Sequence, residues 1–201
     1  MMNFMPARTD LSKDVLQIQI ALLNTEPKIW RRLLVPPQFT LSRLHRAIQI
    51  AMGWEDDHLH EFRVGKQMYG QPDEDHDPFG ITRRKDERYV LVSELFLRVG
   101  SKALYTYDFG DSWEHQIVLE KRLKPDPDVI YPVCVAGEMA CPPEDIGGIY
   151  GYYELVEAIR DPEHMRHGEM LEWVGEDWDP QRFSLEKINH ALRKLGRRSR
   201  Q

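Results

Sequence analysis

The sequence predicts an α+β fold: a curved, mostly antiparallel sheet packed against one N-terminal helix and a C-terminal helical group. Three observations carry this. Short alternating segments bounded by turn residues dominate the first two thirds, one capped amphipathic stretch interrupts them early, and helical periodicity takes over from about Tyr150. The 201 residues are 41% hydrophobic and 30% charged, with the charges spread along the chain, which suits a single domain, 1–201, with its core over about 15–192.

"VLQIQIALL", Val15 to Leu23, alternates and then turns apolar, so it reads as a strand. Asn24, Thr25, Glu26 and Pro27 supply a turn, and "IWRRLLV", Ile29 to Val35, is its antiparallel partner. Pro36 and Pro37 end that strand. Thr40 is placed to cap a helix over Leu41–Met52, with Gly53 at its C-terminal end and Leu41, Leu44, Ile48 and Ala51 on the face toward the sheet.

"HLHEFRVG" reads as a strand with His58 and His60 on one face. Residues 71–88 carry two prolines, a glycine, an acidic block and a basic block, and predict a long mobile loop able to act as a lid. "LVSELFLRVG" is a short helix or turn. "ALYTYDF" and "WEHQIVLEK" form a hairpin about Gly110 and Asp111, which sets Asp108 opposite Trp113 and Thr106 opposite His115, with Tyr105, Tyr107 and Phe109 as core. "VIYPVCV" adds a further strand. "YGYYELVEAIR" is helical to Asp161–Pro162, where a second helix opens, and a third follows Ser184 over Leu185–Leu195. Residues 193–201 read as a solvated basic tail.

The residue types with chemistry cluster in three places. His58 and His60 have the spacing of two imidazoles offered by one strand to a divalent metal, with His115 as the third ligand; the alternative is a pair of core-edge histidines. Asp108 and His115 make a candidate catalytic pair, because a carboxylate on one ring nitrogen fixes the tautomer and raises basicity of the other. Trp54 and Trp113 are candidate binding aromatics. In "CPPEDIGGIYG", Glu144 and Asp145 would repel a phosphate; facing the histidines, they would make a cation the natural guest.

"MGWEDDHLHEF" (52–62), "YTYDFGDSWEH" (105–115) and "CPPEDIGGIYGYYEL" (141–155) together resemble the plasmid pRiA4b ORF-3-like family, and the resemblance runs from about Val15 to about Leu192. It implies a protein associated with plasmids, insertion elements and chromosomes, with no defined activity and, for some members, a label linking them to transposon resolvases. A resolvase needs a nucleophilic serine backed by arginines on a basic protein, an arrangement this sequence does not show.

The formal charge of −6 disfavours a nucleic-acid partner held by phosphate neutralisation. No apolar run is long enough for a membrane span or a signal peptide, so a cytoplasmic protein is expected. Cys134 and Cys141, with six residues between them, match neither a redox pair nor a zinc knuckle, and a structural disulfide is not expected. The function expected is a non-catalytic binding or interaction module for a protein or small ligand. The alternatives are a metal-dependent hydrolase or nuclease using the histidines and nearby carboxylates, and an accessory DNA-recombination protein.

Overall fold

The protein is described by a computed structural model over residues 14–71, 84–175 and 177–197. Most of the loop expected at 71–88, and the end of the basic tail, lie outside the described residues. The strands are β1 (Val15–Leu22), β2 (Trp30–Val35), β3 (His60–Val64), β4 (Gln67–Gly70), β5 (Lys85–Asp86), β6 (Lys102–Tyr107), β7 (Trp113–Leu123) and β8 (Val133–Glu138). They form one sheet in the order β5-β4-β3-β6-β7-β1-β2-β8, antiparallel except where β4 meets β5. The helices are α1 (Leu41–Met52), α2 (Val92–Leu95), α3 (Gly148–Arg160), α4 (His167–Val174) and α5 (Leu185–Arg197).

Alternation built these strands as expected. Leu16, Ile18, Ile20 and Leu22 of β1 are buried, as are Leu33 and Val35 of β2 and Trp113, His115, Ile117 and Leu119 of β7. Thr40 caps α1, its hydroxyl accepting from Arg43 N, and Gly53 ends it at φ 95°, a left-handed conformation that glycine adopts without steric cost. The apolar face of α1 closes over the sheet with Leu41, Leu44, Ala47, Ile48 and Ala51 buried.

The outer edge of β8 is covered by α5. Asn189 reaches from that helix to Cys134, accepting from its N–H at 2.8 Å and donating to its carbonyl at 2.9 Å. Arg31 of β2 fastens the same region from inside. It is 3% exposed, and its guanidinium donates to Ala51 O at 2.9 Å and to Trp30 O and Glu138 O, each at 2.8 Å.

Several boundaries differ from the sequence reading. β3 starts at His60, because Asp56 takes a left-handed φ of 71° and turns the chain before His58 can join the ladder. β3 folds back through Gly65 into β4, whose short run was too weakly patterned to stand out. Residues 85–88, expected within the loop, belong to strand β5 and to a 3-10 turn over Glu87–Tyr89, and Glu87 is fully buried. The fourth helix opens at His167 rather than at Pro162, after a turn in which His164 N bonds Asp161 O. Helix α5 continues through Arg197, so the expected tail is helical over residues 193–197.

Arg31→Ala would leave three carbonyls without their buried donor. We expect a loss of about 3 kcal/mol in urea unfolding at neutral pH.

Candidate functional site

Three connections meet at one end of the sheet: residues 53–59 after α1, residues 108–112 between β6 and β7, and residues 139–147 between β8 and α3. The floor beneath them is Tyr107, fully buried, its ring stacked on Trp54 with centroids 4.9 Å apart. The Tyr107 hydroxyl donates to Glu144 Oε1 and accepts from Asp57 N at 3.1 Å. Burial and the Glu144 carboxylate both push this phenol well above its ordinary range, so it stays a donor at any physiological pH.

The three connections are also tied to one another. Trp54 Nε1 donates to Pro142 O at 3.0 Å and Glu55 N to Glu144 Oε2 at 2.9 Å, joining the first connection to the third. Asp108 N donates to Leu59 O at 2.9 Å, and Gly147 N to Asp111 Oδ2 at 3.1 Å. Gly148 sits at φ +68°, where an added Cβ would lie 2.6 Å from Asp111 O; only glycine allows this approach.

The result is a cleft of about 430 Å³. Trp54, Trp173 of α4 and Trp178 give it aromatic walls, while Glu55, Asp57, Glu144 and Asp145 make it acidic around a single imidazole, His58. No lysine or arginine is among its described lining residues. Beside it His58 Nε2 lies 3.3 Å from Asp145 Oδ1 and 3.8 Å from Asp108 Oδ2, and the three ligand atoms fall within 4.8 Å of one another.

The histidines expected to converge do not. His58, His60 and His115 occupy three environments. His60 Nε2 bonds buried Glu87 Oε2 at 2.7 Å, and His115 lies fully inside the core with Nδ1 on Trp113 O at 3.0 Å. The connection between β6 and β7 is five residues long, with Asp108 and Ser112 at φ 54° and 55°; the register is therefore Tyr107 opposite Trp113 and Tyr105 opposite His115. Asp108 leaves the ladder, accepts from Gly110 N at 2.8 Å, and turns to His58 rather than His115. Trp113 is fully buried and belongs to the core, whereas Phe109, expected there, is 47% exposed at the tip. Trp54, Glu144 and Asp145 do line the cleft.

A second polar group, which the sequence did not disclose, lies under α1. His45 and His60 stack face to face with ring centroids 3.4 Å apart and planes within 3°. His45 Nε2 bonds Asp56 Oδ1 at 2.5 Å and its Nδ1 bonds the Tyr105 hydroxyl at 2.8 Å, which also accepts from Gln49 at 2.9 Å. Burial lowers the His45 pKa, and a neutral ring donating to Asp56 while accepting from Tyr105 uses each donor once. The only signal in the sequence was a histidine on the buried face of a capped amphipathic helix.

A family model described as plasmid pRiA4b ORF-3-like protein matches residues 14–187. The chain belongs to that family. It is 40% identical over 180 residues to y4hQ of Sinorhizobium fredii (strain NBRC 101917 / NGR234), described as an uncharacterized protein, covering 89% of this chain and 90% of that one. It is also 38% identical to the crystal structure of the protein of unknown function MM3350 from Methanosarcina mazei Go1. That match has a TM-score of 0.78 and covers 86% of this chain and 96% of the other. At this identity and TM-score the two proteins share their fold. No helix among the described residues is long and apolar enough to cross a membrane.

Both cysteines are free, and burial raises the thiol pKa of Cys134 and pushes Cys141 up to about 12, which disfavours the reactive thiolate.

Burial pushes His115 down to about 4 from 6.5. Between those values the unfolded chain takes up a proton that the folded chain refuses, so the stability linked to the neutral ring is full above about pH 6.5 and falls toward pH 4. Asn can keep the bond to Trp113 O without titrating. The stability advantage of wild type over His115→Asn is expected to shrink by about 3 kcal/mol between pH 7 and pH 4 in urea melts.

Proposed function

We propose that this protein is a non-catalytic binding module whose ligand occupies the cleft between the three connections. The observation that carries the reading is the hydrogen-bonded assembly of that cleft. Tyr107, Glu144, Trp54 and Asp57 hold its walls together before any ligand arrives, which lowers the ordering cost of binding. The catalytic alternative has less behind it, because Asp108 and His115 lie in separate environments and His115 is sealed in the core.

The test is a screen of acidic, neutral and basic small molecules and peptides by thermal shift and tryptophan fluorescence, run on wild type and on Trp173→Ala. One class should stabilise the wild type, by about 3 kcal/mol at a hundredfold excess over its dissociation constant, and lose most of that effect in the variant. Failure of every class would overturn the reading.

The metal-dependent hydrolase or nuclease is a second reading, and one observation favours it: the His58, Asp108 and Asp145 ligand atoms gathered within 4.8 Å. Two donors bound at about 2.1 Å to one tetrahedral ion stand about 3.4 Å apart, close to the 3.3 Å between His58 and Asp145. Elemental analysis after expression with zinc and manganese should find one metal per chain, lost in His58→Ala and Asp108→Asn, together with metal-dependent cleavage of a generic phosphodiester such as bis(p-nitrophenyl) phosphate. A metal without turnover would leave a structural ion and remove the hydrolase.

A further inference from the structure

Resting on the binding-module reading, we infer that the cleft receives a lysine or arginine side chain carried on an exposed segment of a partner polypeptide. Charge complementarity is the first argument. Glu55, Asp57, Glu144 and Asp145 line the cleft, Asp108 lies 3.8 Å from His58, and no lysine or arginine is among the described lining residues. An acidic lining without a lysine or arginine of its own favours a positively charged occupant over a neutral or anionic one.

The walls narrow the class of cation. Tryptophan faces attract ammonium and guanidinium groups through the ring quadrupole, and a Lys or Arg stem also needs apolar surface to lie against. Trp54 is 7% exposed, with its ring stacked on Tyr107 and its edge bonded to Pro142 O, so the most accessible ring among the lining tryptophans is that of Trp173, 47% exposed. A bare metal ion uses none of this aromatic area. At about 430 Å³ the cleft is also far larger than a single ion needs.

The surroundings point to a polypeptide rather than a free amine. Leu59 is 53% exposed, Phe109 47% and Tyr150 91%, each next to one of the connections that frame the cleft. Leu59 follows His58 and its carbonyl is bonded to Asp108 N; Phe109 is at the tip of the connection between β6 and β7; Tyr150 is two residues after Gly148 in the first turn of α3. An acidic centre flanked by exposed apolar side chains is the layout of an interface with a charged anchor, in which a neighbouring residue of the partner covers the flanks.

The experiment uses the full chain with fluorescein-labelled hexa-arginine and hexalysine peptides, a hexaglutamate peptide, unlabelled arginine amide, and manganese chloride. Fluorescence anisotropy should show micromolar binding of the basic peptides that weakens with salt. Asp145→Asn should weaken it about fivefold and Trp173→Ala about tenfold. Asp145 is exposed at φ 58°, a conformation asparagine tolerates, so that variant keeps its fold even if Trp173→Ala does not. Three results would overturn the inference. Unchanged affinity in both variants would reduce the binding to general attraction by an acidic chain. Arginine amide competing as well as the peptides would make a small cation the occupant. Cleft binding by hexaglutamate, or by manganese with no peptide binding, would keep a binding module but remove the basic segment as its partner. If no probe binds and the broad ligand screen is also blank, the binding-module reading falls with it.

Discussion

The buried phenol of Tyr107 is the point on which the site depends. Its strand position follows from the register of β3, β6 and β7, where His60, Tyr107 and Trp113 stand in a row. Its ring is locked by Trp54, and its hydroxyl meets two of the connections at once. Tyr105, two residues earlier and on the same face, does the same for the polar group under α1 through His45 and Gln49. A single strand thus puts two aromatic rings into the core and two hydroxyls at its polar borders, which is how loops with little apolar content of their own are held in place.

Much of the scaffold was legible because its signals are local. The alternation in β1 and β2, Thr40 and Gly53 around α1, and Ser184 ahead of α5 each act within a few residues, and the structure keeps each of them. The histidine pairing misled because period two holds only inside a strand. Asp56 at positive φ and the β3 start at His60 release His58 to face Asp108 and Asp145, while His60 turns under α1. The hairpin forms as expected but in another register, for a related reason: three extra residues in the connection move the ladder by one position, so Tyr107 rather than Asp108 faces Trp113 and Tyr105 rather than Thr106 faces His115.

The His45 and Glu87 contacts were beyond any local reading. Glu87 sits in a charged stretch with no apolar period and is buried only because the 3-10 turn brings it to His60, 27 residues away. The acidic cleft is intermediate in this respect. Glu144 and Asp145 were recognisable as an odd feature before a helix, and their unsuitability for phosphate already pointed to a cation; the tryptophans of the α4 region, which complete the walls, carried no such sign.

The way the sheet ends has a consequence for how this protein can meet others. At one margin Asn189 occupies the amide and carbonyl of Cys134 that a visiting strand would use, and at the other β5 is two residues long and begins with Lys85. Both devices discourage backbone annexation, the sequence-tolerant mode in which a foreign segment extends the sheet. Under the proposed binding role, recognition would fall to side chains at the loop end of the sheet, with selectivity set by charge and shape rather than by main-chain hydrogen bonding.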